Sequence, residues 1–519
     1  MRIPGLSLNF QSLAGVVPAS LARVRIDEWN EAARVVREGG RKLSAMWGSD
    51  NRAVDGSFAV YAAYAMADGL AIVLLPIAAA VPPDSPRYPD LSGMFPVAVR
   101  MQRAIFDLLG LQAEGASDNR PWLRHAAWPA DVYPLRKDFD PAQRFDNAQE
   151  NYDFVRVEGD GVHEIPVGPI HAGIIEPGHF RFSVVGEKVL RLEERLGYTH
   201  KGIEKRFERF SINDGVKLAG RISGDSTVAF SWAYAQAAES LSNITAPIRA
   251  VWLRALMLER ERVANHLGDL GALGNDAGLG FGLAQFMRLK EDWQRWAGDA
   301  LDHRAMMDCI VPGGVTRDVS PQHAEKMGRL CYDIEREAQP LRHIYDEHPG
   351  LQDRLITTGL VTPQLARQLG LVGFAARASG QTDDLRVDHP CVPYDQLNVT
   401  VVTHRQGDVA ARVAVRFDEL FESLRLIQAI LHNLPAGELR LDLPLPECGA
   451  FGVGWIEGWR GDVLIALQAG ENGMIQRCHA RDPSWHNWPL IAHAVIGNIV
   501  PDFPLINKSF NLSYSGQDA

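Results

Sequence analysis

The 519-residue chain has an ordinary globular composition, with 46% hydrophobic and 23% charged residues. Its formal net charge of −11 and the lack of a dense Lys/Arg run disfavour binding to nucleic acid or to anionic lipid head groups. No basic segment followed by a long apolar core opens the sequence, so no signal peptide is predicted. The cysteines contain no C-x-x-C pair, which is typical of reduced thiols in a cytoplasmic protein; they are Cys309, Cys331, Cys391, Cys448 and Cys478.

The first third of the chain has the pattern of a small mixed α/β domain. We expect residues 1–45 to be peripheral and residues 46–140 to form this domain. A helix is predicted over residues 95–109, because its apolar residues lie close to one face and Gly110 is well placed to end it. The polar residues 141–160 are typical of a linker.

One segment of this domain is apolar enough to be mistaken for a membrane helix. Residues 58–81 are almost all apolar and long enough to span a bilayer. Asp68 and Gly69, however, divide them into two runs of strand length, 58–66 and 70–77. These runs predict a buried hairpin instead.

The second domain is expected to cover residues 161–519. It opens with short strands around residues 185–195 and becomes mainly helical after about Ser211, whereas the tail from Leu441 onward is mixed strand and loop. Apolar residues at helical spacing predict a bundle core from three helices, at 246–270, 321–347 and 411–431. The fold class is therefore predicted as α+β: a small α/β N-terminal domain joined to a mainly helical domain with short peripheral strands.

A glycine cluster, Gly278, Gly280 and Gly282, partly matches the glycine spacing of a dinucleotide-binding loop. It follows a predicted helix rather than a strand, and no βαβ unit surrounds it. We therefore interpret it as a tight loop between helices.

The segment GPIHAGIIEPGHF at 168–180 is richer in chemistry. His171, Glu176 and His179 lie within nine residues of one another, among glycines and prolines. Such a loop can hold imidazole and carboxylate groups in a cleft for proton transfer. The alternative is a structural turn whose polar groups are satisfied by hydrogen bonds.

Several blocks together resemble the large subunit shared by membrane-bound energy-converting nickel–iron hydrogenases, of the formate hydrogenlyase type, and respiratory complex I. In chain order the blocks are GPIHAGIIEPGHF, YTHKGIEK, LERERVANHLGDLG, VGFAARASGQTDDLRVDHP and EGWRGDV. Residues 46–140 resemble the small hydrophilic subunit of complex I through RMQRAIFDLLGL and YPLRKDF. The resemblance implies a fused chain like the C/D fusion of NADH-quinone oxidoreductase, with a hydrogenase-large-subunit-like second domain.

The sequence departs from this family at its metal ligands. The motif R-x-C-G-x-C reads RISGDS at 221–226, and D-P-C-x-x-C reads NLSYSG at 511–516. Thiolates suit such a metal site, whereas a serine hydroxyl is a much poorer donor. We therefore expect no nickel–iron site; the four lost ligand positions are Ser223, Ser226, Ser513 and Gly516.

The remaining cysteines also lack the spacing of an iron–sulfur cluster, so electrons would come from a partner iron–sulfur subunit. The complex I branch uses the same cavity to bind a quinone head group through a histidine and a tyrosine. The resemblance places the histidine at His179, but the tyrosine position holds Ile212, which has no hydrogen-bond donor. A quinone site is thus half supported.

A set of polar residues survives the loss of the metal ligands. Glu176 matches the glutamate that passes protons from the metal site in the hydrogenases. Buried charges are costly unless they are paired, which favours a network that still conducts protons or switches. The alternative is a vestigial network kept for the fold. The retained residues are Glu176, His171, His179, His200, Glu204, Arg221, His266, Asp384 and Arg386.

The resemblance implies a subunit of a membrane oxidoreductase complex, attached to the cytoplasmic face through its partners. These would be an iron–sulfur subunit and a membrane arm of antiporter-like and quinone-site subunits. The chain would act in electron transfer to a quinone-like acceptor, in coupling to ion translocation, or in both. Two alternatives stay open: a redox-inactive structural adaptor, and an active hydrogenase with unusual ligands.

Overall fold

The computed structural model describes residues 3–79, 85–146 and 151–519, and it combines helices and sheets in two domains. The N-terminal domain contains three helices and seven strands among these residues. They are β1 (Gln11–Ser12), β2 (Ala19–Arg23), α1 (Ile26–Glu38), β3 (Lys42–Asn51), α2 (Arg52–Asp55), β4 (Ser57–Met66), β5 (Gly69–Ala78), β6 (Arg87–Pro89), α3 (Ala98–Leu109) and β7 (Gln112–Glu114).

The predicted hairpin lies at the centre of this domain. Five strands form one sheet in the order β1-β2-β5-β4-β3, and β4 pairs with β5 in antiparallel register from Ser57–Ala78 to Met66–Gly69. One face of the sheet packs against α1 and α3, and the other contacts Val453 and Trp455 of the second domain. Because both faces are covered, both strands are almost wholly apolar, and the hairpin prediction is confirmed.

The structure differs from the expectation that residues 1–45 are peripheral. β2 pairs in parallel with β5, and Trp29 and Ala32 of α1 are fully buried. The apolar stripe of α1 consists largely of alanines, and β2 is only five residues long, so both give a weak hydrophobic signal. The first domain therefore begins well before residue 46.

The helix predicted over 95–109 is α3. It begins at Ala98 and ends at Leu109, where Gly110 adopts a left-handed conformation (φ 73°) and donates its N–H to the carbonyl oxygen of Phe106. Part of the predicted linker, residues 147–150, lies outside the described residues. The described residues between 141 and 160 contain no helix or strand.

The second domain begins with an antiparallel sheet of β8 (Val162–Val167), β9 (His179–Val185) and β10 (Lys188–Arg195). Its helices and later strands follow in chain order: α4 (Ile203–Phe207), α5 (Gly215–Ala219), α6 (Thr227–Leu241), α7 (Ile248–Asp276), α8 (Gly280–Leu301), β11 (Ile310–Val311), β12 (Gly314–Val315), α9 (Pro321–Glu347), α10 (Pro349–Leu355), α11 (Pro363–Leu369), α12 (Gly373–Arg377), α13 (Leu385–Asp388), α14 (Val409–Asn433), β13 (Phe451–Glu457), β14 (Asp462–Ala469), β15 (Ile475–Arg481), α15 (Ser484–Ala494), α16 (Phe503–Phe510) and α17 (Tyr514–Gln517).

The three predicted core helices are confirmed as α7, α9 and α14. α7 packs against α8 and α14, while α6 lies between α7 and the sheet of β13, β14 and β15. Of the glycine cluster, only Gly278 lies in the predicted loop between α7 and α8, whereas Gly280 and Gly282 belong to the first turn of α8. A Cβ at Gly282 would lie 2.3 Å from the Tyr345 hydroxyl oxygen. Within the described ranges, no helix combines the length and apolar character needed to cross a bilayer.

Candidate functional site

The four positions predicted to be lost metal ligands meet at one place, although the two motifs are separated by almost the whole second domain. The Ser223 and Ser513 hydroxyl oxygens lie 2.8 Å apart. Ser513 also accepts a hydrogen bond of 2.9 Å from the backbone N–H of Gly516, because it is the N-terminal cap of α17. We call Ser223, Ser226, Ser513 and Gly516 the serine site.

An ion pair lies beside the serine site. Arg460, which follows β13, donates two hydrogen bonds of 2.6 and 2.5 Å to the two carboxylate oxygens of Asp225, and a third of 3.2 Å to Ser226. The Arg460 side chain is only 3% exposed, whereas that of Asp225 is 41% exposed. Burial opposes ionisation of Asp225, but Arg460 outweighs this effect and lowers the pKa of Asp225. The pair is therefore ionised at neutral pH.

The fourth position is closed by a buried carboxyl group. A Cβ at Gly516 would lie 2.5 Å from the Oδ2 atom of Asp482. Asp482 is 1% exposed, and its Oδ1 accepts a 2.7 Å hydrogen bond from Ser484 N, whereas its Oδ2 has no partner among the described residues. Burial raises the pKa of this carboxyl group. Asp482 thus fills the space that a side chain at position 516 would need.

We expect Gly516→Ala to reduce the free energy of unfolding by about 1–3 kcal/mol, because the added methyl group overlaps Asp482 in a packed interior. The measurement is chemical denaturation of the purified protein. Gly224→Ala is the matched control, since a Cβ at Gly224 meets no atom within 4 Å. Equal stability of the two variants would contradict this account of position 516.

The loop that carries His171, Glu176 and His179 closes on itself. The Gly178 N–H donates to the Pro169 carbonyl oxygen at 2.9 Å, and Gly168 adopts φ 87° with its α-carbon facing Gly178 so closely that a Cβ would lie 2.2 Å from the Gly178 oxygen. We call residues 168–179 the histidine loop. Its closure directs Glu176 towards the serine site.

Two residues of the histidine loop contact α17. Glu176 Oε2 accepts a 3.0 Å hydrogen bond from Ser515 N, and His171 Nε2 lies 3.3 Å from the Tyr514 hydroxyl oxygen. Glu176 is exposed and His171 is half-buried. The structure therefore brings these two predicted residues to the serine site.

The serine site and the histidine loop line one open cleft of about 380 Å³, which we call the serine cleft. Its walls come from the histidine loop, the turn before α6, the C-terminal half of α7, α8 and the last two helices. The charged side chains along the cleft are balanced in sign: Glu176, Asp225, Asp269, Lys290, Arg460 and Lys508. This lining suits small polar or ionic species and proton exchange.

The two positions predicted to contact a quinone, His179 and Ile212, do not line the serine cleft. His179 is buried at the start of β9, where Nδ1 lies 3.4 Å from the Gly168 oxygen and Arg181 lies 3.4 Å from Nε2. Ile212, at the position of the family tyrosine, is in the hydrophobic core and 3% exposed. Neither residue lines the cleft.

Three other predicted residues also lie outside the cleft. Arg221 turns to the surface and forms two hydrogen bonds of 2.7 Å with Asp308. His200 Nδ1 lies 2.8 Å from the Asp518 carbonyl oxygen, and Glu204 pairs with Arg477 and His479. These side chains have satisfied partners away from the serine site.

Asp384, Arg386 and His266 belong to a buried cluster of charges, which we call the ionic network. Two arginines, Arg377 and Arg386, join carboxylates from α7, α14, β13 and the loop before α13. The network consists of Glu259, Arg262, Arg377, Asp384, Arg386, Glu419 and Glu457, with His266 hydrogen-bonded to Glu419 at 3.0 Å.

The network approaches the serine cleft through a second ion pair. Arg416 lies one helical turn before Glu419 on α14 and pairs with Asp269 at 2.9 Å. Asp269 also accepts a 2.6 Å hydrogen bond from the side chain of Asn511, and both residues line the cleft. Sequence reasoning did not single out Asp225 or Arg460, although both lie inside the RISGDS and EGWRGDV segments.

Comparisons with known proteins agree with this architecture. The model of the respiratory-chain NADH dehydrogenase 30 Kd subunit matches residues 22–145, and that of the 49 Kd subunit matches residues 276–448. The chain is 34% identical to formate hydrogenlyase subunit 5 of Escherichia coli (strain K12), over 92% of this chain and 85% of that protein. It is 32% identical to hydrogenase-4 component G of the same organism, over 92% and 83% of the two chains.

More distant matches cover less of the chain. The C/D fusion of NADH-quinone oxidoreductase from Bacteroides thetaiotaomicron is 26% identical over 77% of this chain and 79% of that protein. A chain from the structure of the membrane-bound sulfane sulfur reductase, an archaeal respiratory membrane complex, shares the fold, with a TM-score of 0.65 and 23% identity over 69% of this chain and 99% of that chain. Fused 30 Kd-like and 49 Kd-like domains and extensive identity to formate hydrogenlyase subunit 5 show that this chain belongs to the family of hydrogenase-related, complex I-like large subunits.

Proposed function

We propose that this chain is the large subunit of a hydrogenase-related membrane oxidoreductase complex, and that its serine cleft couples electron transfer in the complex to ion movement without a nickel–iron centre. The observation that carries the proposal is the serine site itself. The four positions that the resemblance assigns to the family's thiolate ligands lie close together there, and none carries a thiol. The chain would contribute to an oxidoreductase without being an active nickel–iron hydrogenase by itself.

The residues at the serine site do not fit a nickel–iron group. The Ser223 and Ser513 hydroxyls form a hydrogen bond with each other, and the Ser226 hydroxyl accepts a hydrogen bond from Arg460. Asp482 fills the space at Gly516. A protonated hydroxyl is a weak donor for a soft metal, and the Arg460 guanidinium adds positive charge where a cation would bind. The serine site therefore offers no ligand set for a nickel–iron group.

The lining of the serine cleft supports proton or ion handling over binding of an aromatic head group. Its charged side chains are three acids and three bases, and Glu176 is exposed to the cleft. A carboxylate that borders solvent and contacts buried polar groups can exchange protons between them. A quinone-like acceptor stays a candidate for the complex, with His179 as the residue to test.

Partner subunits follow from the family and from exposed apolar residues. Two relatives of this chain are named as subunits, formate hydrogenlyase subunit 5 and the membrane-bound hydrogenase subunit alpha of Pyrococcus furiosus. The second is 30% identical over 68% of this chain. Ile170 and Ile174 of the histidine loop are 86% and 96% exposed beside the cleft, which supports a covering partner. We propose an iron–sulfur subunit there, with a membrane arm of antiporter-like and quinone-site subunits, and peripheral attachment to the cytoplasmic face.

A structural adaptor is the second candidate, and one observation favours it. The retained charges His200, Glu204 and Arg221 are satisfied by partners outside the cleft, as in a network that only holds the fold together. An adaptor would bind the same partners. It would not respond to substitutions of cleft residues that leave the structure intact.

The deciding experiment is the composition of the complex purified through this chain under anaerobic conditions. Nickel, iron and quinone are measured per copy, and partner subunits are identified by mass. We expect iron from a partner and no stoichiometric nickel. Stoichiometric nickel would refute the proposal, and partners without iron or any redox activity would favour the adaptor.

A further inference from the structure

The ionic network does not balance its own charge. It contains four carboxylates, Glu259, Asp384, Glu419 and Glu457, and three guanidinium groups, Arg262, Arg377 and Arg386. All seven side chains are at most 4% exposed. His266 adds no charge, because burial lowers its pKa and outweighs the effect of Glu419.

Among the described residues, the ion pairs next to the network do not supply the missing positive charge. Two ion pairs next to the network, Asp462 with Arg481 and Asp269 with Arg416, are each neutral as a pair. An uncompensated buried charge is strongly unfavourable, and a buried acid instead keeps its proton. Charge counting alone therefore predicts one bound proton within the network at neutral pH.

The hydrogen bonds identify which carboxyl group holds this proton. Asp384 accepts two hydrogen bonds from the Arg386 guanidinium, and Glu419 accepts one each from Arg377 and His266. Glu259 accepts hydrogen bonds from Arg386, from Arg262 and from two side-chain hydroxyls. Glu457 has the weakest set: one hydrogen bond of 3.0 Å from Arg377 and one of 3.2 Å from the backbone N–H of Leu385.

Glu457 also has a route to solvent. It lines a cleft of about 330 Å³ between the two domains, which we call the interdomain cleft. Burial, followed by the neighbouring carboxylates Asp384 and Asp462, raises the pKa of Glu457 to about 7 against the opposing effects of Arg377 and Arg262. Other titratable groups on the same cleft are Arg41, Lys42, Asp383, Asp388, His389, Arg481 and His486.

We propose that Glu457 binds the single proton that neutralises the ionic network, and that it exchanges this proton with solvent through the interdomain cleft. This proton-binding site lies apart from the serine cleft. It is a property of the folded chain, so it holds whether or not the proposed function is correct.

The first test is the pH dependence of stability in Glu457→Gln, which has nearly the same shape but cannot ionise. In the unfolded chain the proton leaves near the usual pKa of about 4.5, whereas the folded state keeps it to about 7. Between these values the folded state binds more protons, so wild-type stability falls as the pH rises and levels off above the folded pKa. We expect the melting temperature of the variant, relative to wild type, to rise by several degrees between about pH 5 and about pH 8.

Glu204→Gln is the matched control for this measurement. Glu204 is buried, but Arg477 and His479 outweigh its burial and hold its pKa at about 2, so it is ionised throughout the same range. Its substitution should lower the melting temperature by a nearly constant amount. A constant difference for Glu457→Gln as well would overturn the proposal.

Infrared spectroscopy gives a second readout that does not depend on stability. The wild type should show the carbonyl stretch of a protonated carboxyl group that titrates near neutral pH and is missing from Glu457→Gln. The difference spectrum is needed because Glu261 and Asp518 also have raised pKa values, about 8 and about 7, caused mainly by burial. Asp384→Asn should move the Glu457 titration to lower pH; identical spectra of wild type and Glu457→Gln would refute the assignment.

Discussion

Arg377→Met should lower the free energy of unfolding by about 3–5 kcal/mol, because it leaves buried carboxylates without their shared cation. Arg377 is 0% exposed and joins Glu419 at 2.7 Å, Glu457 at 3.0 Å and Asp384 at 3.5 Å. Methionine fills a similar volume, so the loss reports mainly on charge. Chemical denaturation followed by circular dichroism measures it.

The control for Arg377→Met is Arg329→Met on α9. Arg329 also pairs with a glutamate, Glu325, but its side chain is 75% exposed, so the pair is screened by solvent and little change is expected. Adding Glu419→Gln to Arg377→Met should restore part of the stability, because it removes the ionised carboxylate that loses its 2.7 Å partner. If the buried and exposed arginine variants unfold alike, the network does not stabilise the fold.

Glu176→Gln should reduce ion transport coupled to electron transfer by about 10²-fold or more, since a glutamine cannot accept a proton. Its side-chain oxygen can still accept the 3.0 Å hydrogen bond from Ser515 N, so the histidine loop should keep its position. The measurement is ion uptake into vesicles that contain the complex, with electron transfer followed in parallel. Assembly, judged by the masses of co-purified subunits, should be unchanged.

Glu187→Gln is the control for the transport experiment. Glu187 is an exposed residue in the turn between β9 and β10, on the same small sheet as the histidine loop but away from the serine cleft. Normal coupled transport in Glu176→Gln would exclude the proton-handling role and leave the adaptor as the better account. Loss of transport in both variants would point to a general defect of the preparation.

The two proposals together assign two separate places for proton exchange to the second domain. Glu176 borders the serine cleft, and Glu457 borders the interdomain cleft. Between them lie the ionic network and the Arg416–Asp269 pair, which share the two helices α7 and α14. We expect a change of charge at one cleft to shift the pKa of charged groups at the other, since electrostatic interactions are strong where water is excluded.

Local patterns in the sequence were sufficient for several parts of the fold. The Asp68-Gly69 step between two apolar runs predicted the β4–β5 hairpin, and helical spacing predicted α7, α9 and α14. Gly110 ended α3 as expected. Such features depend on residues a few positions apart, which is why they can be inferred without the fold. The absence of cysteine from the segments 221–226 and 511–516 is likewise a property of the sequence alone.

Contacts between distant segments could not be inferred in this way. Ser223 and Ser513 are separated by 290 positions, and only the packing of α17 against the turn before α6 brings their hydroxyls to 2.8 Å. The same packing places Arg460 on Asp225 and Asp482 against Gly516. Arg221 lies in the same segment as Ser223, but its side chain points to the surface, where it pairs with Asp308. The direction of a side chain depends on its local backbone and on what packs around it.

The sequence by itself thus determined the family, the core helices and central hairpin, and the absence of thiols at the four positions predicted to be metal ligands. The tertiary structure decided which of the retained polar residues lie at the serine cleft: Glu176 does and His171 joins it through Tyr514, whereas His179, Arg221, Asp384 and Arg386 lie elsewhere. It also showed that the carboxylates of the ionic network outnumber its arginines by one. Burial and charge balance are sums over segments far apart in the chain, and only the folded protein brings those segments together.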